Sequence, residues 1–288
     1  MYATLHNVQI RSLIRHQHPE QRQRHHHLHL HLHLHLYHQP HQPPGSAGTI
    51  PAAVRALMPA HPACAEALSI ARSSLPASIL YHSFRVYLYA QAFIHEQATQ
   101  ERQNWPFIAN TADDDIIPPP PRPPHNVVPP HILFVACILH DVGVAPPLGD
   151  ASPERFEVVG ADVAARILRA HGASDAEVRD VWLALALHTS PGVAERLGGT
   201  ARAVRLAVRA DFGSYPLPPA EGVPGGVELM NALKWKLPRL EIEKDLGDAV
   251  VRQAVVDGRK APGASWPGDL LRGRMEAEEG WEGVNKEF

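Results

Sequence analysis

His131-Ile-Leu-Phe-Val-Ala-Cys-Ile-Leu-His-Asp-Val-Gly-Val144 is the stretch from which the chain is best read. Every residue from Ile132 to Leu139 is apolar, and the run leads straight into His140-Asp141. An unbroken apolar run of this length marks a buried element. Pro129-Pro130 can open a helix there and Gly143 can close it. A buried helix that ends in His-Asp carries two metal-capable side chains into the middle of a fold. Left there without partners they would cost roughly several kcal/mol. A cation is the simplest group that satisfies both.

Working outward, the flanking segments are helical in pattern. Pro51 to Leu57 and Pro62 to Ser73 read as short helices, and Pro76 to Phe93 as a long one. On the long one Ile79, His82, Val86, Tyr89 and Phe93 fall at three- and four-residue steps. That spacing is one helix face, so His82 shares a stripe with core residues. Beyond the central run, Glu154 to Ala170 has helical spacing through Phe156, Val159, Val163 and Ile167, and it ends at His171-Gly172, with His171 as a capping residue. Ser174-Asp-Ala-Glu177 has capping-box spacing and opens a helix from Asp175 to His188. Thr200 to Asp211, Val227 to Trp235 and Pro238 to Val256 complete the helical set, with a Pro/Gly loop over 214–226. Strand signals are nearly absent, and the fold class expected is all-α.

Composition sets the organisation and excludes several functions. Residues 1–48 hold twelve of the 20 histidines, including a tract from His25 to Leu36 in which His and Leu alternate from His27 onward. They are expected to be a disordered, His-rich extension. The folded domain is expected over 49–275, with a flexible tail over 276–288. Residues 97–130 contain Asp113-Asp-Asp115 and Pro118-Pro-Pro-Pro121 and are expected to form a Pro-rich surface insertion. The net charge of −3 supplies no basic field for nucleic acid or anionic lipid. The apolar runs fall short of the about 20 residues that cross a bilayer, so no membrane partner is expected. Cys64 and Cys137 are too few for a disulfide scaffold, and a reducing, cytoplasmic setting is expected.

Four polar residues occupy apolar helix positions or helix ends: His82, the pair His140-Asp141, and Asp211. Asp211 near a helix C-terminus opposes the helix dipole, which a cation would relieve. Two imidazoles and two carboxylates make a mixed nitrogen and oxygen set, suited to zinc, iron or manganese. Water bound to such a metal can approach a pKa near 7, giving hydroxide at neutral pH.

The order His82, His140-Asp141, Asp211, each on or ending a helix, resembles the HD-domain superfamily of metal-dependent enzymes. Tyr81-His-Ser-Phe-Arg-Val-Tyr87, Leu139-His-Asp-Val-Gly143, Arg155-Phe-Glu-Val-Val-Gly-Ala161, Ala186-Leu-His-Thr-Ser190 and Trp266-Pro-Gly-Asp-Leu-Leu271 are similar to segments of the fungal cyanamide hydratases and their HD-domain relatives. The resemblance covers residues 51–272 apart from the insertion. It implies an HD-domain helical bundle around a central metal site. It also implies His82, His140, Asp141 and Asp211 as ligands of one zinc ion, hydration of cyanamide to urea, and a homo-oligomer.

Glu157, among apolar neighbours, and His188, ending an apolar helix, are the candidates for proton work or for supporting the ligands. Thr189 is expected to line the pocket. Arg85, one turn from His82, can orient an anionic neighbour. Tyr81 departs from the family, which more often has Asn before the first His, and this bears on substrate orientation. The alternative activity is a phosphohydrolase on nucleotides, the commoner HD-domain reaction. Phosphate calls for Lys or Arg beside the metal, and only Arg85 and Arg155 offer themselves, which favours a small neutral substrate. A third reading is a non-catalytic helical module stabilised by metal, with the His-rich segment as its interaction tail. Deleting residues 1–48 is expected to leave the activity of the remaining chain intact; complete loss would make that segment part of the working protein.

Overall fold

The structure, a computed structural model, describes residues 50–103, 128–218, 235–277 and 283–284. The His-rich extension, most of the Pro-rich insertion, nearly all of the helix expected at Val227 to Trp235, and most of the C-terminal tail lie outside those residues. The fold is all-α, with no strand among the described residues.

Local chemistry sets where each helix starts. Short α1 (Ala52–Arg55) is followed by α2 (Pro62–Ser74). Pro62 occupies the first turn of α2, and the Nδ1 of His61 accepts the Ala63 N–H at 3.2 Å. Leu75 is extended before Pro76, as a residue preceding proline prefers, and α2 stops there. The long α3 spans Ala77–Gln103. It therefore runs past residue 97, where the sequence composition places the start of the insertion. The added stretch, His95 to Gln103, is mostly strong helix formers without an apolar face.

Helix α4 (Pro130–Leu139) is buried at every position from Ile132 to Leu139. It is surrounded by α2, α3, α6 (Phe156–Ala170), α7 (Asp175–Leu187) and α8 (Gly199–Asp211). Each large apolar side chain it buries contributes about 1.5–3 kcal/mol. The ring of His131, in its first turn, stacks on His61 at the start of α2, with centroids 4.1 Å apart. The capping box expected at Ser174 and Glu177 is formed at the head of α7.

After α4 the chain turns through a 3-10 segment, Val142–Val144, into the four-residue α5 (Pro146–Gly149). Gly143 is not required for a left-handed backbone; its φ is not among the positive values. Its reason is contact, since a Cβ there would collide with the Phe156 carbonyl. Gly160 is similar: a Cβ would lie 2.8 Å from the Leu139 carbonyl oxygen and 3.2 Å from that of His140. Two glycines thus let the backbone of α6 lie directly on the His-Asp turn.

Helix α9 (Ile242–Val256) and the 3-10 segment after it, Gly258–Lys260, brace that turn, and α10 (Trp266–Glu276) packs on α9. Buried Gln253 donates from Nε2 to the Gly143 carbonyl at 2.9 Å. Buried Lys260 donates to the carbonyls of Gly149 at 2.6 Å and Glu154 at 3.1 Å. Ser78 on α3 donates to Asp245 on α9. Among the described residues no helix is long and apolar enough to cross a membrane.

Replacing Gly143 by Ala drives a methyl group into the α6 backbone, and overpacking of this kind costs about 1–3 kcal/mol. Thermal or urea unfolding of Gly143→Ala should show a clearly lowered midpoint. An unchanged midpoint would mean that α6 can withdraw freely from the turn.

Candidate metal centre

Three of the four polar residues that the sequence singles out, His82, His140 and Asp141, meet in one spot. One ligand-capable atom from each of His82, His140 and Asp141 lies within 4.8 Å of the others, and all three residues are buried. His82 comes from the second turn of α3. His140 and Asp141 follow directly on α4, whose apolar run fixes their depth.

The hydrogen bonds at the outer ring nitrogens decide what the inner ones present. The Nδ1 of His140 is 2.7 Å from the Cys137 carbonyl oxygen. A carbonyl oxygen only accepts, so this Nδ1 carries the hydrogen and the neutral ring has a bare Nε2. His82 has the same arrangement, its Nδ1 2.6 Å from Oδ2 of Asp211. The two Nε2 atoms face each other at 3.2 Å. Oδ2 of Asp141 lies 3.1 Å from His140 Nε2 and 3.6 Å from His82 Nε2. That oxygen is buried and makes no hydrogen bond of acceptable geometry. Two ring lone pairs and a carboxylate oxygen therefore converge with no hydrogen among them. Such an arrangement repels itself unless a positive charge sits inside it.

The titration tendencies follow the same pattern. Burial works to raise the Asp141 carboxyl, but the His140, His188 and His82 rings overcome it and hold it well below the usual carboxylate range. Burial lowers His140, yet the Asp141 carboxylate, the Cys137 carbonyl and Asp211 together outweigh it and raise it. His82 is lowered, with burial exceeding the help from Asp211. A divalent cation suits this donor set of two imidazole nitrogens and one carboxylate oxygen. The orphaned Oδ2 is the observation that makes it fit.

Asp211 does not join the group. It ends α8, buried, and lies behind His82 on the Nδ1 side. Arg85 donates from Nε to its Oδ1 at 2.7 Å and from Nη2 to its Oδ2 at 2.8 Å. Arg85, one turn along α3 from His82, thus orients an anionic neighbour as its position suggests, and that neighbour is Asp211. Tyr81 is partly buried against the core.

His188 caps the end of α7, with Nδ1 2.6 Å from the Leu185 carbonyl oxygen. Its Nε2 is 3.5 Å from Oδ1 of Asp141, and its ring meets that of His140 edge-on at 5.1 Å. Asp141 is therefore shared, one oxygen toward the two ligand-like rings and the other toward His188. Glu157 is fully buried in the first turn of α6. Its Oε1 accepts from Thr189 Oγ1 at 2.7 Å and from Arg155 Nη2 at 2.5 Å. Glu157 and Thr189 fasten the end of α7 to the start of α6.

Sequence reasoning missed Arg205, which is buried on α8 and donates to the His188 carbonyl at 3.0 Å and to Glu195 Oε1 at 3.0 Å. Its signal was visible: a single Arg inside Val204-Arg-Leu-Ala-Val208. It also missed Arg239, which donates to the Asp211 carbonyl and approaches Oδ2 of Asp211 at 3.3 Å.

No protein-family model matches the chain, and no curated protein matches it.

Thr189→Val keeps the shape of the side chain and deletes the hydroxyl that Glu157 accepts from. Loss of a hydrogen bond to a buried charged acceptor costs about 1.5–3 kcal/mol. Denaturant titration should show that loss; an unchanged midpoint would mean that Arg155 alone satisfies Glu157.

Proposed function

We propose that the chain is a metal-dependent hydratase of a small nitrile, with cyanamide as the substrate and urea as the product, built on an HD-type helical bundle. The observation that carries the metal is the buried Oδ2 of Asp141, without a hydrogen-bond partner and facing two bare imidazole nitrogens. The substrate comes from the resemblance of the five quoted segments to the cyanamide hydratases.

His82 and His140 would hold the ion through Nε2 and Asp141 through Oδ2. Zinc is the first choice and iron or manganese are compatible with the same donors. When bound, the ion would lower the pKa of a water molecule toward about 7 and polarise the substrate. Hydration adds the water oxygen to the nitrile carbon, and both hydrogens of that water end on the nitrile nitrogen as the C≡N bond becomes a single bond and C=O forms. We assign that proton work to His188. Its Nδ1 is committed to the Leu185 carbonyl, and its Nε2 faces Oδ1 of Asp141, so Nε2 is the atom that exchanges a proton beside the cluster. Glu157, through Thr189, and Arg205, through the His188 carbonyl, keep that ring in place.

A phosphohydrolase would need cations free to meet phosphate. Arg85 is engaged with Asp211 and Arg155 with Glu157, which favours the neutral substrate.

Asp141→Ala should lose one equivalent of bound metal relative to the unaltered chain, a difference that cancels whatever the His-rich segment binds. Urea release from cyanamide should fall at least about 100-fold with it. Retained metal would contradict the ligand assignment. Phosphate release from nucleotides without urea from cyanamide would overturn the hydratase reading.

A further inference from the structure

Three histidines outside the centre meet where helices begin or end. His61 is the N-cap of α2, His131 lies in the first turn of α4, and His171 ends α6. The rings of His61 and His131 stack with centroids 4.1 Å apart, and His171 stands edge-on to His61 at 6.4 Å. This corner is not arranged for an ion, because the ring nitrogens of stacked imidazoles point side by side. Among the described residues, the group close enough to share a cation is His82, His140 and Asp141. Protonation is what matters at the corner. His61 accepts the Ala63 N–H on Nδ1 at 3.2 Å, so that nitrogen carries no hydrogen. His61 and His131 both sit at helix N-termini, where positive charge opposes the dipole. The carboxylates nearby are engaged elsewhere: Glu66 on α2 accepts from His171 Nε2 at 2.8 Å, and Glu177 on α7 accepts from the Ser174 N–H at 2.8 Å and its hydroxyl at 2.7 Å. Burial and the His61 ring lower the readiness of His131 to take a proton, and Glu177 restores it only in part. A histidine held low in the folded chain gives stability that is present above its unfolded value of about 6.5 and lost as pH falls through the lowered one.

We infer that His61 and His131 form a latch between the starts of α2 and α4 that acid opens. Uncharged, the stacked pair joins the two helix starts and His61 caps α2. A proton on His61 turns Nδ1 from an acceptor into a donor facing the Ala63 N–H, and the cap is lost. A proton on His131 puts a cation into the first turn of α4. With both rings charged, like charges stand in stacking contact, and a charged His171 adds to the repulsion on His61 while Glu66 answers His171. The segment released carries Cys64, which is wholly buried three residues past His61, with Sγ 3.9 Å from the His131 carbonyl oxygen. Burial pushes its thiol up to about 12, so Cys64 is inert while the latch is shut. The latch does not depend on whether the centre holds an ion or on the reaction proposed for it.

Labelling of Cys64 and Cys137 in the full-length chain tests it, with dithiodipyridine as the reagent, since it reacts with thiols in acid as well, and with each cysteine followed in its own peptide. Each rate is divided into that of the urea-unfolded chain at the same pH, which removes the titration of the thiol itself and leaves a protection factor. Between about pH 7.5 and about pH 5.5, on either side of the ordinary histidine value of about 6.5, the protection of Cys64 should fall about 5- to 30-fold while that of Cys137 holds. His61→Asn keeps a capping oxygen, His131→Phe keeps a stacking ring, and neither replacement titrates in this range. The fall should shrink in each single variant and vanish in the double variant. Equal protection of Cys64 at both pH values overturns the inference. A fall shared equally by Cys137 makes the event general unfolding and overturns it too, as does a fall that persists in the double variant. If a variant labels fast at both pH values because its corner has come apart, the comparison of Cys64 with Cys137 in the unaltered chain decides by itself.

Discussion

The constraint on which the structure turns is the repulsion among three buried acceptors. The Nε2 atoms of His82 and His140 and Oδ2 of Asp141 lie between 3.1 and 3.6 Å from one another. Each ring has its hydrogen on the far side, held there by Asp211 or by the Cys137 carbonyl. Proteins tolerate such a grouping when a positive charge fills it, because an unpaired buried polar atom costs about 1–3 kcal/mol and a charged one more. The fold supplies the pressure that keeps the three together. Helix α4 is apolar on every side and is enclosed by five others, so the residues at its end have nowhere else to go.

Holding the acceptors together also takes backbone precision around the turn that follows α4. Gly143 and Gly160 admit the chain of α6 at contact distance. Gln253 and Lys260 reach in from the far end of the sequence and fasten the loop carbonyls. His188, Thr189, Glu157 and Arg205 do the equivalent for the end of α7. The residues around the centre are thus mostly ties between helix ends, and few of them face the acceptors directly.

Much of this is legible from residue order. An apolar run that ends in His-Asp must put that pair at depth, and a histidine on an apolar stripe must meet something polar. The capping box at Ser174 reads directly because it needs only local spacing. What residue order cannot convey is which atoms saturate which. Asp211 at a helix end and Asp141 beside a histidine look alike as letters, and only the distances to Arg85 separate them. Gly143 reads as a helix stop, although its reason is a neighbour brought up by the tertiary fold. The continuation of α3 to Gln103 was obscured because His95 to Gln103 lacks an apolar face. Those residues favour the helix by propensity, and lack of a buried stripe marks a solvated helix as readily as a loop.

The brace on the His-Asp turn comes late in the chain. Gln253 follows Gly143 by 110 residues, and Lys260 follows Gly149 by 111. A ribosome adding about 5–20 residues per second needs roughly 5 to 20 s to cover that gap. During that interval the nascent polypeptide already carries its histidines and aspartate but lacks the side chains that tie down the loop behind them. The turn that presents His140 and Asp141 is therefore braced only once the end of the domain has been made.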